Sequence, residues 1–349
     1  MGAAKWADAA GHLKFHLQPL DQKLPFKNRR GCKLCIMLSK SPLSLFLALS
    51  RNKHAVLDIA APAFCALLWL GDFPSASVTI LSLITAFAGY TAIYALNDIV
   101  GCKVDKVKMA HACGGQQYSV EAGDLRHPIA QGLISYKMAL LWMSFWLLIA
   151  VAGAYLLNPY ILIVLGLAAA CEVAYCMLLR VTHWRIILSG FVKAAGPVSA
   201  VLVVDPTPRV ELLLLLLFWI FLWEIGGQNI PADWNDREED KRIGAKTIPI
   251  RFGEGISKRI VMCAALLTVI SSGFLVIISP LPLGSTYVAW VLMIGILFLI
   301  VPTYALYSTT KVTTEPARLF DFASYYPLAL LVLTAGAIIF RGIIIEHSL

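Results

Sequence analysis

The sequence predicts an all-α, multi-pass membrane protein with about nine transmembrane helices. Of its 349 residues, 59% are hydrophobic and only 14% are charged, which is more apolar surface than a soluble core can bury. Apolar stretches recur from residue 54 to the C-terminal region, and no polar segment of domain size interrupts them. The chain is therefore predicted to form one membrane domain.

Nine segments are long and apolar enough to span a bilayer, because a spanning helix needs about 20 mostly apolar residues. Short sequences rich in proline, glycine and asparagine separate several of them and indicate tight connections. A further apolar stretch at 34–50 is predicted to be an interfacial helix. The predicted spanning helices cover residues 54–71, 77–98, 136–157, 159–179, 186–204, 211–229, 259–279, 286–308 and 322–345.

The distribution of lysine and arginine predicts the orientation of the helices. Connections after even-numbered helices carry most of the basic residues, whereas those after odd-numbered helices hold only Arg209. By the positive-inside rule, the N-terminus and the even-numbered connections face the cytosol, and the C-terminus faces the opposite side. The net charge of +8 lies in these short segments, so lipid headgroups and substrate phosphates are expected partners and nucleic acid is not.

Two acidic clusters follow the second and the sixth predicted helices, on the same predicted side of the membrane. Within each cluster, residues four positions apart share one face of a helix. Carboxylate and amide oxygens are the ligands that magnesium prefers, and two carboxylate sets can hold a diphosphate only through divalent cations. The candidate metal ligands are Asn97, Asp98, Asp105, Asp233, Asp236 and Asp240.

These clusters resemble the two aspartate-rich motifs of the UbiA-type membrane prenyltransferase superfamily, Asn-Asp-x-x-Asp-x-x-x-Asp and Asp-x-x-x-Asp. Residues 126–132, Arg-His-Pro-Ile-Ala-Gln-Gly, are similar to the family's Arg-Pro-Leu-Ala-Ser-Gly stretch, and residues 175–184 resemble its motif before helix five. The family also has nine helices, with its two motifs after the second and the sixth, as predicted for this chain. The resemblance covers residues 45–345.

The resemblance implies a UbiA-like helical bundle at 51–349 as the transmembrane catalytic domain, preceded by a cytosolic or interfacial N-terminal segment at 1–50. It implies Mg²⁺ as the cofactor, a prenyl diphosphate as the substrate and an active site that faces the cytosol. The protein is expected to be an integral membrane protein, of the endoplasmic reticulum if the source is eukaryotic, with pathway enzymes on the same membrane as candidate partners.

The resemblance also implies roles for individual residues. The expected catalytic residues are Asp98, Asp105, Asp236 and Asp240, which would ionise the prenyl diphosphate. The expected substrate-binding residues are Asn97, Arg126, Arg180, Lys193 and Lys246.

Charged side chains inside predicted helices are costly and are functional candidates by default. Lys193 in the fifth helix either reaches the diphosphate or pairs with Glu172 or Glu224, and the sequence leaves these options open. Tyr94 and Trp223 lie near the motif-bearing helix ends, so they are the aromatic candidates for stabilising a carbocation.

Three departures from the family pattern bear on the reaction. Gly101 stands where the first motif usually has its middle aspartate, and Leu179 replaces a basic residue usual beside Arg180. About a dozen extra residues, including 111–118, separate the first motif from Arg126. These departures favour the membrane-bound terpene cyclase branch of the superfamily.

The reaction expected on this basis is the ionisation of farnesyl diphosphate and its intramolecular cyclisation to a sesquiterpene, with release of pyrophosphate. The alternative is prenyl transfer to an aromatic or other acceptor by the same ionisation chemistry. A second alternative is a multi-pass transporter, which would also carry intramembrane charges but would not need paired magnesium-type motifs on one face.

Overall fold

The computed structural model describes residues 41–111, 125–281, 283–309 and 314–346, and within these ranges every regular element is helical. The helices are α1 (Pro42–Leu49), α2 (Asn52–Leu70), α3 (Ala76–His111), α4 (Tyr136–Leu157), α5 (Tyr160–Met177), α6 (Arg185–Val204), α7 (Val210–Asn235), α8 (Arg237–Ile243), α9 (Ile248–Ile278), α10 (Gly284–Ser308) and α11 (Glu315–Glu346). Residues 34–40 of the predicted interfacial helix and residues 112–124 of the predicted insertion lie outside the described residues.

Nine helices of the described part, all except α1 and α8, are long and apolar enough to cross a membrane. The predicted fold class is therefore confirmed. Large apolar side chains such as Leu148, Leu156 and Phe340 remain 70% exposed on the outside of the bundle. Such exposure suits a lipid environment, in which backbone groups are satisfied within helices and apolar side chains face the hydrocarbon.

Two helix boundaries differ most from those predicted. Helix α3 continues to His111 instead of ending at residue 98, so the first acidic motif lies within a helix. Helix α9 begins at Ile248 instead of residue 259 and contains a backbone break at Gly253, where φ is +72°. In both places the additional helical turns carry charged residues and lie outside the apolar part of the helix. Hydropathy alone therefore placed the boundary at the end of the apolar part.

The largest core cluster lies where α7 packs against α11 and neighbouring helices. Trp219 and Trp223 of α7 are almost fully buried. The Trp223 indole donates to the carbonyl of Ala323 at 2.9 Å, and the Trp219 indole donates to the hydroxyl of Tyr326 at 3.4 Å. These bonds satisfy buried polar groups and fix α7, which carries the second acidic cluster at its end.

Helix α1 packs against α3 and α4, with Leu49 buried among residues of both. The Trp142 indole on α4 donates to the Ser50 hydroxyl at 2.8 Å. Residues 41–50, assigned by the sequence to the N-terminal segment, thus belong to the helical bundle. This packing places Arg51, the residue after α1, beside the first acidic motif.

Helix α7 widens into a π-helical turn at Glu224–Asn229. A Cβ atom added at Gly226 would lie 2.6 Å from the Cβ of Ala264 on α9, and one added at Gly227 would lie 2.8 Å from the Cβ of Ala323 on α11. These two glycines allow α7 to approach both neighbours at close range, which larger residues would prevent.

Gly226→Ala is expected to destabilise the protein by about 1–3 kcal/mol, because the added methyl group overpacks the contact with Ala264. Gly166→Ala on α5 is the matched control, since no atom lies within 4 Å of its added Cβ and alanine favours a helix by about 1 kcal/mol over glycine. Thermal unfolding in detergent measures both variants. Equal melting temperatures would contradict the close packing of α7 and α9.

Candidate functional site

Both acidic clusters lie at one end of the bundle, around a polar pocket of about 150 Å³. The ends of α3, α5 and α7, the start of α6 and the segment before α4 line this polar pocket. A larger apolar cavity of about 620 Å³ lies between α2, α3, α5, α6 and α7. Arg51, Asn97 and Tyr175 line both spaces, so the polar pocket and the apolar cavity adjoin.

The first cluster combines two carboxylates of α3 with a histidine from the segment before α4. The Nδ1 atom of His127 lies 2.7 Å from Oδ1 of Asp98 and 3.2 Å from Oδ2 of Asp105. One potential ligand atom from each of the three residues lies within 4.8 Å of the others. The Oδ2 atom of Asp98 is buried and has no hydrogen-bond partner among the described residues. Two carboxylates, one imidazole and the unpaired Asp98 oxygen are groups that can bind a divalent cation.

Burial of His127 opposes protonation of its ring, yet the carboxylates of Asp105 and Asp98 raise its pKa above the usual value. The imidazole therefore balances part of the negative charge that the two carboxylates bring together.

The second cluster pairs each of its aspartates with a basic residue from another element. The pairs are Asp233 with Arg185 at 2.5 Å, Asp236 with Arg126 at 2.8 Å and Asp240 with Lys108 at 2.5 Å. Lys108 lies on α3, so its ion pair joins the helix of the first cluster to α8. Arg126 and Lys108 thus bring positive charge directly beside the acids, as a diphosphate site requires.

The Asp236 carboxylate lies close to the charged groups of Arg126 and Lys108. Burial alone would raise its pKa, but the nearby charges of Arg126 and Lys108 lower the pKa below the usual value. Asp240 behaves differently, because burial raises its pKa in spite of the Lys108 ammonium.

Asn97 lies at the boundary between the polar pocket and the apolar cavity. Its amide nitrogen donates to Glu172 at 2.5 Å, and its carbonyl oxygen accepts from Arg51 at 3.1 Å. The oxygen that was predicted to bind metal is thus held by an arginine in this structure. Glu172, an intramembrane charge noted in the sequence, is the partner that orients this amide.

Two predicted substrate-binding residues lie outside both spaces. Arg180 and Lys246 are exposed, and neither lines the polar pocket or the apolar cavity. The backbone N–H of Lys246 donates to the carbonyl of Leu179 at 2.8 Å and ties the segment after α8 to the end of α5. The sequence motifs around these residues therefore meet through the backbone, while the two basic side chains point elsewhere.

Lys193 lines the apolar cavity and forms an ion pair with Asp58 of α2 at 2.7 Å. The two carboxylates expected as its alternative partners have other hydrogen-bond donors: Glu172 accepts from Asn97, and Glu224 accepts from Ser189. The Lys193 ammonium also lies 5.2 Å from the centre of the Trp223 ring.

Asp58 is the centre of a buried polar cluster in the wall of the apolar cavity. Besides Lys193, its carboxylate accepts from the Tyr94 hydroxyl and lies 3.6 Å from the ring of His54. Asp58 is only 3% exposed. Sequence reasoning missed it, although an acid inside a predicted span is the same signal that singled out Lys193.

Sequence reasoning also gave no site role to Lys108, Arg185 and Arg51. The first two were counted only as positive charges that orient the helices. Their ion pairs with aspartates of the second cluster, and the contact of Arg51 with Asn97, place all three in the polar pocket.

The fold and the site define a polytopic membrane protein in which two acidic clusters meet beside an apolar cavity. The sequence profile of the UbiA prenyltransferase family matches residues 59–325, and the chain belongs to this family. Membership confirms the resemblance found in the motifs and identifies the chain as an enzyme, which excludes the transporter alternative.

Curated relatives include two digeranylgeranylglyceryl phosphate synthases. The protein from Methanopyrus kandleri is 24% identical over 247 residues, which cover 68% of this chain and 81% of the relative. The protein from Pyrococcus horikoshii is 27% identical over 236 residues, with 65% and 76% covered. A solved UbiA homolog from Archaeoglobus fulgidus, bound to DMAPP and Mg²⁺, has a TM-score of 0.62 and 17% identity over 84% of this chain and 98% of its own, which shows a shared fold.

Proposed function

We propose that the enzyme binds a prenyl diphosphate with its diphosphate in the polar pocket and its prenyl chain in the apolar cavity, and ionises it with Mg²⁺. The observation that carries this proposal is the direct contact between the two spaces, which share Arg51, Asn97 and Tyr175 as lining residues. An amphipathic anion matches this arrangement. The homolog bound to DMAPP and Mg²⁺ supports the same substrate class.

Asp98 and Asp105 would hold magnesium on one side of the polar pocket, and Asp233, Asp236 and Asp240 on the other. When bound, magnesium neutralises the diphosphate and makes pyrophosphate a better leaving group. Arg126 and Lys108 are already positioned at the second cluster, so they add further positive charge where the leaving group gains negative charge. The substrate-binding roles of Arg180 and Lys246 stay predictions.

For the fate of the prenyl cation, we propose transfer to a polar acceptor. A hydrocarbon chain does not need the buried cluster of Asp58, Lys193 and Tyr94, and such groups are costly inside an apolar cavity. An acceptor with a hydroxyl or phenol group can accept a hydrogen bond from Lys193. The C–O bond to the diphosphate breaks, a bond to the acceptor forms, and the Asp58 carboxylate takes the proton that the acceptor loses.

The relatives from Methanopyrus kandleri and Pyrococcus horikoshii support transfer, since both are named as synthases of a digeranylgeranylglyceryl phosphate. Cyclisation of farnesyl diphosphate to a sesquiterpene is the second candidate. It is favoured by the predominantly apolar lining of the 620 Å³ cavity and by Leu179, which lines the polar pocket where the resemblance leads one to expect a basic residue. A dry apolar cavity protects a cation until it meets an internal double bond.

The purified enzyme in lipid nanodiscs, supplied with farnesyl or geranylgeranyl diphosphate and Mg²⁺, tests these proposals. We expect pyrophosphate release to require both Mg²⁺ and an acceptor, here a glycerol phosphate or a phenolic acid, with a prenylated acceptor as the product detected by mass spectrometry. A cyclic hydrocarbon formed without acceptor would establish cyclisation instead. Pyrophosphate release that persists in EDTA, or none with either diphosphate, would reject the ionisation chemistry.

A further inference from the structure

We infer that His127 is a metal ligand of the first cluster and supplies the third donor that Gly101 cannot. This inference rests on the proposed magnesium-dependent function and adds a residue to it. The first metal site would then contain one imidazole and two carboxylates, Asp98 and Asp105, instead of oxygen ligands alone.

Gly101 lies between the two carboxylates on the same face of α3. A Cβ atom added there would lie 2.7 Å from Oδ2 of Asp105, which is closer than ordinary contact. The Asp105 carboxylate therefore occupies the space of a side chain at position 101. Helix α3 contributes two carboxylates to this point, and the oxygen of Asn97 on the same helix already accepts from Arg51, so we place the third donor on another element.

His127 comes from the segment before α4 and directs its ring into this space. Its backbone has φ of +50°, one of two positive values among non-glycine residues in the described part of the chain. This conformation is uncommon for non-glycine residues and persists only where the surrounding structure holds it in place. The following turn holds it, with the Gln131 N–H donating to the His127 carbonyl at 3.0 Å.

One nitrogen of the ring faces both carboxylates. Nδ1 lies 2.7 Å from Oδ1 of Asp98 and 3.2 Å from Oδ2 of Asp105. The other oxygen of Asp98, Oδ2, is buried and has no hydrogen-bond partner in the described part of the chain. A cation between the three residues would use the lone pair of Nδ1 and an oxygen of each carboxylate. Imidazole binds Mn²⁺ and later transition metals more readily than Mg²⁺, so the first site should hold Mn²⁺ well.

Pulsed electron paramagnetic resonance with Mn²⁺ as the probe tests this inference on the full-length protein in nanodiscs. A directly bound imidazole couples its ¹⁴N nucleus to the Mn²⁺ spin. We expect this ¹⁴N modulation in the wild type and its loss in His127→Asp, which keeps an oxygen donor at the site. His183→Gln is the matched control, since His183 packs against Phe252 away from both spaces, and it should keep the modulation.

Labelling the wild type with ¹⁵N-histidine gives a test that needs no variant, because the ¹⁴N modulation should disappear. Mn²⁺ binding without ¹⁴N modulation, or modulation that persists in a folded His127→Asp variant, would overturn the inference. So would a wild type that binds no Mn²⁺. Pyrophosphate release without an imidazole signal would reject His127 as a ligand and leave the proposed function standing. An imidazole signal without pyrophosphate release would support His127 as a ligand and reject the proposed function.

Discussion

Replacement of Asp236 with asparagine is expected to lower pyrophosphate release by about 10²–10³-fold, the range found when one preorganised electrostatic group is removed from an active site. The substitution keeps the size of the side chain but removes the negative charge that Arg126 and Lys108 stabilise. Release of pyrophosphate at saturating Mg²⁺ and prenyl diphosphate gives the measurement.

Glu238→Gln is the matched control for this prediction. Glu238 follows Asp236 closely in sequence, but its exposed side chain contacts Lys241 at 2.8 Å on the outer side of α8. The turnover of the Glu238→Gln variant should stay within about twofold of that of the wild type, because the substitution removes only a surface ion pair. If Asp236→Asn and Glu238→Gln lose the same activity, turnover depends on the overall negative charge near α8 and not on the second cluster.

Lys193→Met is expected to lower the free energy of unfolding by about 3–5 kcal/mol, because it leaves the buried Asp58 carboxylate without its ammonium partner. The double variant Lys193→Met with Asp58→Leu should recover much of this loss, since replacing a buried pair with apolar residues is often neutral. Reversible unfolding in mixed detergent micelles measures the three proteins, and a double-mutant cycle isolates the coupling.

Lys241→Met controls for the loss of a lysine at an exposed position, where Lys241 pairs with Glu238, and it should leave stability unchanged. A Lys193→Met variant as stable as the wild type would show that Tyr94 and His54 compensate the Asp58 carboxylate without the lysine. The buried cluster would then not depend on this ion pair.

Hydropathy and periodicity predicted the fold because both are local properties. Apolar length determines a span, and spacing of four along α3 determines which acids share a face. Local patterns could not predict the ion pair of Lys193, because its partner Asp58 lies 135 positions away in the sequence. The same limit applies to Arg180 and Lys246, to which the resemblance gave a substrate-binding role, because only tertiary packing decides where a long side chain points. The orientation of the bundle in the membrane stays a prediction.

The π-helical turn of α7 has a consequence for how this helix tolerates change. Its wider turn holds about one more residue than an α-helical turn, and one residue corresponds to a rotation of roughly 100°. Trp219 and Trp223 precede the turn and face the core, whereas Asp233 follows it and faces the polar pocket. A one-residue deletion within Glu224–Asn229 would therefore act as a rotation and not as a shortening: the spanning length would survive, while the aspartates would turn away from their cations.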